Sequence, residues 1–243
     1  MSLVQAQGGM GMSLAGHGAL AIWHDIIPEG RDDFYAWHGR EHMPERLGIP
    51  GFLRGRRYVA IDAALEFFNL YEAQSVEVLK GQDYSNRVNN PTPWTLRATT
   101  HFRHVARSLC QVKATHGHGH GGLMATLRYD VQPDSLAAHV EAITQQFLPK
   151  AASLSGMAGL HLLLADAQSS GEVNAEQRAR GSANAIPRQV LLVEGWGDEA
   201  AFIPMVRELL SASALKALQI DDHALLDFYR HQITRCKTAW TAG

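Results

Sequence analysis

The most suggestive pattern in this chain is a pair of histidines four residues apart with a glutamate beside the second. His38, Glu41 and His42 form the sequence H-x-x-E-H. On a helix, residues at i and i+4 share one face, so both imidazoles could hold one zinc ion while the carboxylate acts as a general base. Gly39 falls inside the pattern, however, and no later predicted helix is a natural source of a further carboxylate ligand. The sequence therefore disfavours a zinc peptidase.

Other roles for these histidines remain open. Catalytic zinc usually has three protein ligands, and His24 could join His38 and His42 in such a site. Alternatively, His42 transfers a proton, because an imidazole with a pKa of about 6.5 changes its charge near physiological pH. A structural histidine is the third reading. We predict no metal site, His42 as the catalytic residue, and His38 as a partly exposed neighbour on the helix surface.

Aromatic residues are frequent in the first half of the chain. Small-molecule sites are lined mainly by apolar and aromatic side chains with a few polar groups. We predict that four side chains shape a binding pocket: His24, Trp37, Tyr71 and Trp94. The alternative is that these rings form part of the hydrophobic core.

Two groups of basic residues invite a binding role. Arg54, Arg56 and Arg57 could bind an anionic group, although alternating arginines on a strand more often face solvent. Three histidines separated by glycines, between residues 116 and 120, resemble a metal-binding tract. That tract has no fixed geometry, so adventitious nickel or zinc binding is favoured over a functional site.

The elements around the histidine pattern read as a βαββαβ unit. The apolar run at residues 19–27 predicts a buried strand, and a helix follows from Asp32 or Asp33 to Gly48 with the histidines late in it. Candidate strands at residues 52–62 and 65–74 predict a hairpin. A second helical region and a fourth strand, VARSLCQVKA, complete the unit.

The second half of the chain repeats this pattern. Three pairs match at an offset of 105 without insertion: Asp25 with Asp130, Pro44 with Pro149, and Gly51 with Gly156. Residues 70–73, LYEA, match residues 192–195, LVEG, at an offset of 122. The longer offset places about 17 extra residues in the polar stretch 168–186. We predict that this stretch is a mobile hairpin loop or a lid, and the alternative is a disordered insertion.

The stretch DDFYAWHGREHMPERLGIPGFLRGRRY resembles a family signature in the first helix and second strand of the dimeric α+β barrel superfamily, and EthD-like members in particular. In those proteins a histidine followed by proline ends the first helix, and a Pro-Gly turn leads into the second strand. The segment NNPTPWT is similar to their second helical region. The resemblance covers most of residues 17–116 and, more faintly, 121–236. The superfamily that this stretch resembles includes monooxygenases, isomerases, dehydratases and haem-binding enzymes, so the resemblance implies an activity of one of these kinds.

The predicted fold is therefore α+β, with two tandem ferredoxin-like βαββαβ domains whose sheets pack together as an α+β barrel. The first domain is predicted at residues 17–116 and the second at residues 121–243. A ferredoxin-like unit covers one face of its sheet with helices and leaves the other face apolar, so it needs a partner. Fusion of two units makes an intramolecular pseudo-dimer, which leaves room for a further homodimer.

Composition narrows the function. The chain has 243 residues, a formal net charge of −2 and 46% hydrophobic residues, which is typical of a globular protein and offers no basic surface for nucleic acid. The two cysteines show no disulfide or zinc-finger spacing. Because neither a leader-like amino terminus nor a membrane segment is evident, we expect a cytoplasmic protein with no membrane partner.

We predict an EthD-like enzyme that binds a small apolar or aromatic compound and acts by proton transfer or cofactor-free oxidation. Proton transfer needs a titratable group such as His42 and no bound cofactor. The alternative is a non-catalytic ligand-binding or assembly protein of the same barrel class. In that alternative, haem or a divalent metal is the candidate ligand.

Overall fold

The computed structural model describes residues 13–237. The amino-terminal residues 1–12, which carry most of the segment in which no leader was predicted, and residues 238–243 of the second predicted domain lie outside the described residues. Among the described residues, no helix is long and apolar enough to span a lipid bilayer.

Eight antiparallel strands form one closed barrel in the described part of the chain. The strands are β1 (Gly18–Ile26), β2 (Phe52–Asp62), β3 (Phe67–Ala73), β4 (Phe102–Gly117), β5 (Leu123–Tyr129), β6 (Met157–Ala165), β7 (Gln189–Gly195) and β8 (Leu225–Cys236). Their order around the barrel is β1-β3-β2-β8-β5-β7-β6-β4. Pairing of β2 with β8 and of β4 with β6 joins the two halves.

Helices cover the outside of the barrel, and the order βαββαβ occurs twice. The α-helices of the first half are α1 (Arg31–Trp37), α2 (Met43–Gly48), α3 (Val76–Lys80), α4 (Gln82–Asn89) and α5 (Pro93–Thr99). Those of the second half are α6 (Leu136–Ala142), α7 (Leu148–Ala152), α8 (Ala167–Ser170), α9 (Ala175–Arg180), α10 (Glu199–Leu209) and α11 (Ala212–Ala217). The predicted fold class is confirmed, whereas the division into two domains stays a prediction.

Strand β1 shows why its sequence is apolar throughout. Ala19, Ala21 and Trp23 pack inside the barrel, while Leu20 and Ile22 point to the outer face beneath the first helix. A strand covered on both faces needs apolar residues at consecutive positions rather than at alternate ones. The run predicted as a buried strand is therefore buried on both sides.

The first helix contains a π-helical turn at the histidine pattern. Helices α1 and α2 are joined by a π-turn at His38–His42, and α6 and α7 are joined by a π-turn at Ile143–Phe147. Pro44 and Pro149 lie just after these turns. Proline has no N–H and its ring excludes the carbonyl of residue i−4, so it disfavours regular α-helical bonding at this point. The same distortion thus recurs at the offset of 105 found in the sequence.

The prediction that the arginines of β2 face solvent is wrong. Arg56 is 2% exposed inside the barrel, and Arg57 is 7% exposed on the outer face beneath the first helix. Alternation along β2 sends neighbouring arginines to opposite faces, and both faces are covered. Arg54 is half-buried and donates to Glu72 at 2.9 Å. Sequence alone could not show that both sides of this strand are buried.

The polar stretch at residues 168–186, which we call the lid, is more regular than the sequence suggested. It contains the end of α8 and all of α9. Asp166 and Asn174 cap these helices, accepting from the N–H groups of Ser169 at 3.0 Å and Gln177 at 2.9 Å. A backbone bridge between Ala185 of the lid and β4 anchors its far end. Local capping therefore gives structure to a segment with few apolar residues.

Candidate functional site

A cavity lies between the outer face of the first-half sheet and the first helix. Its empty space, including the mouth, is about 670 Å³. The sheet contributes Leu20, Ile22, Asn69, Tyr71, Val105 and Arg107, the first helix contributes Trp37, His38, His42 and Arg46, and the lid contributes Asn174, Glu176, Gln177, Arg180 and Asn184. Tyr84, Thr99 and Phe102 complete the wall. Both halves of the chain therefore build this one site.

His38 is part of the cavity wall, so the prediction of a partly exposed helix residue is wrong. It is 2% exposed, with Arg57 Nη1 at 3.2 Å from Nδ1 and Tyr71 Oη at 3.1 Å from Nε2. Burial, assisted by the charge of Arg57, lowers the pKa of His38 well below its ordinary value. The imidazole is therefore neutral at physiological pH.

The partners of His38 determine where its proton sits. A guanidinium can only donate, so Nδ1 accepts from Arg57 and the single ring proton is on Nε2. Nε2–H then donates to the hydroxyl oxygen of Tyr71. Burial raises the pKa of Tyr71, which keeps the hydroxyl protonated. The hydroxyl hydrogen of Tyr71 is consequently available to donate to a molecule in the cavity.

His42 presents an unpaired nitrogen in the same cavity. It is 8% exposed, and its Nδ1 has no hydrogen-bond partner, with the nearest carboxylate oxygen, of Glu45, at 3.8 Å. Burial, together with the charge of Arg46, lowers the pKa of His42 well below its ordinary value. Its ring lies 4.2 Å from that of Trp37 and 6.3 Å from that of Tyr71. A buried polar nitrogen without a partner is uncommon in a folded protein and calls for a functional or structural explanation.

The other residues predicted to shape a pocket lie in different places. Trp37 lines the cavity, and its Nε1–H donates to Thr95 Oγ1 at 3.1 Å, which holds the ring in place. His24 lies behind the wall, and burial lowers its pKa to about 3. Trp94 lies away from the wall, where its Nε1–H donates to Asp33 at 2.9 Å. Of the four residues predicted to shape the pocket, Trp37 and Tyr71 therefore line the cavity together with His42, whereas His24 and Trp94 do not.

His24 nevertheless orients a polar wall residue, Asn69. Its Nδ1 faces the carbonyl oxygen of Asp25 at 3.4 Å, and its Nε2 lies 2.8 Å from Asn69 Nδ2. The neutral ring donates through Nδ1, so Nε2 accepts from the amide of Asn69. Asn69 Oδ1 is left buried without a partner. Asn69, a residue of the cavity wall, therefore carries an unpaired acceptor.

Glu41 does not complete a metal site with the two histidines. Its Oε1 accepts from the hydroxyl of Thr92 at 2.5 Å, and the residue is absent from the cavity wall. In residues 13–237, no three histidine, cysteine, aspartate or glutamate side chains are grouped so as to hold a metal ion. The two histidines of the H-x-x-E-H pattern therefore line the cavity, whereas Glu41 links the first helix to Thr92 at the start of α5.

Haem fits this cavity poorly. An iron ligand needs a free ring nitrogen with open space for the flat macrocycle. His38 commits both ring nitrogens, and the unpartnered Nδ1 of His42 is itself buried, 3.8 Å from a carboxylate oxygen of Glu45, rather than open to a macrocycle. Arg46 at the cavity wall binds Glu176 of the lid across the mouth. We therefore derive no chemical step from haem.

The lid is held down by side chains of the first half. Arg46, which is 2% exposed, forms an ion pair with Glu176 and a second one with Glu45 at 3.1 Å. The N–H of Ala175 donates to Asn89 Oδ1 at 3.1 Å. An insertion of the second half thus closes a cavity that belongs to the first half.

The equivalent place in the second half contains no such polar wall. In the first half, Ile22 of β1 pairs with Asn69 and Arg107. In the second half, the matching residue Leu127 of β5 pairs with Leu191 and Leu226. Leu191 therefore corresponds to Asn69, and Leu226 to Arg107. The π-turns match His38 and His42 to Ile143 and Phe147. All of these second-half residues belong to one apolar cluster or pack against it. The fold therefore accepts apolar residues at these positions, and the polar set in the first half needs another explanation.

Several cavity residues were not singled out from the sequence. They are Arg46, Asn69, Arg107, Glu176 and Arg180. The repeat could have indicated one of them, since the matched strands align Asn69 with an apolar residue at the offset of 122. The lid residues carried no such signal, because they have no counterpart in the first half.

Comparison with known proteins supports the fold. No protein-family model and no curated protein matches the chain. A crystal structure of an anthrone oxidase-like protein superimposes with a TM-score of 0.61 and 15% sequence identity, covering 96% of this chain and 98% of that one.

Two further solved structures are similar. A provisionally assigned monooxygenase from Lactobacillus acidophilus has a TM-score of 0.54 and 10% identity, covering 91% of this chain and 97% of its own. A chlorite dismutase variant from Candidatus Nitrospira defluvii, in complex with cyanide, has a TM-score of 0.50 and 11% identity, covering 87% and 90%. At these identities the similarity concerns the fold alone. The chain therefore shares the α+β barrel fold of these solved structures.

Proposed function

We propose that this protein is a small-molecule enzyme of the EthD-like kind, in which His42 transfers a proton in the cavity beneath the lid. The observation that supports it is the unpartnered Nδ1 of a buried, neutral His42 in the same cavity as the free hydroxyl hydrogen of Tyr71. An acid/base group next to a hydrogen-bond donor is the arrangement needed to remove a proton beside an oxygen atom.

In the proposed reaction, the substrate oxygen accepts a hydrogen bond from Tyr71. His42 takes a proton from a neighbouring carbon or hydroxyl, and negative charge develops on the oxygen. A donor already oriented by Arg57 and His38 stabilises that charge without reorganising, which is the usual origin of catalytic electrostatic stabilisation. Burial keeps His42 neutral, so it is in the form that accepts a proton.

The resulting anion has two outcomes. It takes a proton at a different carbon, which isomerises the substrate, or its carbanionic carbon forms a C–O bond with dioxygen. The resulting peroxide anion then takes the proton held by His42 to give a hydroperoxide, which is a cofactor-free oxidation. Leu20, Ile22 and Phe102 on the wall fit a largely apolar or aromatic body. The partner we propose is therefore a small organic ligand, and a cytoplasmic location and a further homodimer are parts of the same hypothesis.

The test is turnover of a panel of phenols and phenolic ketones, followed by product analysis and dioxygen consumption. His42→Phe places in the first half the residue that the second half carries at Phe147, so we expect a melting temperature close to that of the wild type. We expect kcat to fall by about a hundredfold to ten-thousandfold. The control is His223→Ala, an exposed histidine of the second half.

Unchanged turnover in His42→Phe would overturn the proposal. A Soret band in the freshly purified protein would instead favour haem binding, the non-catalytic alternative.

A further inference from the structure

Two arginines on the cavity wall lack an acidic partner. Arg107 is 9% exposed; its Nη2 donates to Tyr84 Oη at 2.9 Å, and its Nη1 has no partner. Arg180 of the lid directs its guanidinium to Ser182 Oγ at 3.0 Å and to Asn184 Oδ1 at 2.5 Å. Within residues 13–237, neither arginine forms an ion pair with a carboxylate. Buried charges are normally paired, so Arg107 is exceptional, and the half-buried Arg180 beside it also lacks a carboxylate partner in the described part of the chain.

The carboxylate nearest to the cavity is already engaged. Glu176 binds Arg46, which Glu45 also neutralises. Burial lowers the pKa of Arg180 and the nearby charge of Arg107 lowers it further, while the charge of Glu176 offsets part of this effect. The two guanidinium groups therefore repel one another across the mouth of the cavity. A negative charge between them would remove that repulsion and satisfy Arg107 Nη1.

The sheet beneath the cavity separates the positively charged end of the site, at Arg107, from a neutral polar end, at Asn69. Ile22 of β1 pairs with Asn69 of β3 on one side and with Arg107 of β4 on the other. Adjacent strands are about 4.8 Å apart, which separates the two polar residues by roughly 10 Å across the apolar floor of Ile22. Asn69 Oδ1 is an unpaired acceptor at the far end. A ligand lying across β1 would meet a cation, an apolar surface and an acceptor in that order.

We propose that the ligand of this cavity is a small organic carboxylate, with its carboxylate held by Arg107 and Arg180 and its apolar body over Ile22. A hydroxyl at the opposite end would donate to Asn69. This inference rests on the proposed function for the choice of site and names the substrate class. Its residues are not demanded by the fold, since Leu226 and Leu191 occupy the equivalent positions in the second half.

The binding test uses benzoate and its neutral isostere benzamide, titrated calorimetrically into the full chain. We expect the wild type to bind benzoate at least tenfold more tightly. Arg107→Gln and Arg180→Gln should each weaken benzoate binding by about tenfold to a hundredfold, as expected for the loss of a hydrogen bond to a charged group. Benzamide affinity should stay within about twofold in both variants. Arg178→Gln, an exposed arginine on the same helix of the lid, is the matched control.

The acceptor end has its own test with 4-hydroxybenzoate. The wild type should bind this compound more tightly than benzoate, and Asn69→Leu should abolish the difference while leaving the affinity for benzoate unchanged. Melting temperatures of all variants without ligand show whether each one folds. Arg180→Gln on the half-buried lid keeps the test informative if a substitution at the buried Arg107 unfolds the protein.

Three results would overturn the proposal: equal wild-type affinity for benzoate and benzamide, no binding of benzoate at millimolar concentration, or an equal loss in Arg178→Gln. All three are equilibrium measurements that involve no turnover. If His42→Phe were fully active while benzoate binding depended on Arg107 and Arg180, the proposed function would fail and this inference would stand.

Discussion

Replacement of Arg56 by leucine should destabilise the protein more than any exposed arginine substitution, because Arg56 joins the two halves inside the barrel. Its Nε donates to Glu72 of β3 at 3.0 Å, and its Nη1 donates to Glu194 of β7 at 2.7 Å. Both carboxylates are 0% exposed. The variant leaves them in the interior without the cation that they share.

The expected loss is about 3 kcal/mol of unfolding free energy, at the lower end of the range for breaking a buried ion pair from one side. Glu72 retains Arg54, with contacts of 2.9 and 2.5 Å, so it stays neutralised. Glu194 retains His161 at 3.1 Å and the N–H of Gly121 at 3.3 Å, and carries most of the penalty. For a chain of this length the loss corresponds to a fall in melting temperature of roughly 6 to 12 °C.

Urea unfolding at neutral pH measures the loss, with Arg207→Leu as the control. Arg207 pairs with Asp62 at the surface, where both side chains are more than half exposed, so its loss should be below about 1 kcal/mol. Burial raises the pKa of Glu194, but Arg56 and His161 outweigh it and hold the pKa below 4.5. The stabilisation that ionised Glu194 gives the folded state is present above pH 4.5 and is lost in acid. The difference in unfolding free energy between the wild type and Arg56→Leu should therefore become smaller at acidic pH. Equal losses in the two variants would refute the reasoning.

Two further predictions concern the lid and the buried histidines. Glu176→Gln removes the carboxylate that binds Arg46, so trypsin should cleave the lid faster than in the wild type. Glu172→Gln, at an exposed position of the lid, is the control and should be cleaved at the wild-type rate. An unchanged rate in Glu176→Gln would contradict this prediction. Burial lowers the pKa of His38 and His42, so unfolding free energy should decrease as pH falls below 6.5, by up to about 1.4 kcal/mol per pH unit for each histidine. His38→Ile should give a shallower pH dependence in chemical unfolding, and an identical slope would show that this histidine is not the cause.

The sequence by itself determined the architecture of this protein. Apolar runs bounded by proline and glycine indicated the strands, and the offset of 105 related the two halves to one another. The structure places left-handed glycines at both matched positions, with φ of 85° at Gly51 and 88° at Gly156, and π-turns at both matched helices. Such local features follow from backbone sterics, which neighbouring residues dictate.

Part of the candidate site was also visible in the sequence. Trp37, His42 and Tyr71 all line the cavity, because a helix stripe and alternate strand residues face one another where the first helix packs on the sheet. Their roles in binding and catalysis stay predictions. His42 drew notice because the second half carries a phenylalanine at the matching position, which is information that a single repeat unit would not have contained.

Only the tertiary structure decided the charge and closure of the site. His38 is buried because the first helix turns it toward Arg57 and Tyr71, contacts between residues 19 and 33 positions apart. The lid reaches the cavity from the other half of the chain, and its Glu176 meets Arg46 across 130 positions. Whether an arginine faces water, a carboxylate or an empty cavity depends on such long-range packing, and no local pattern encodes it.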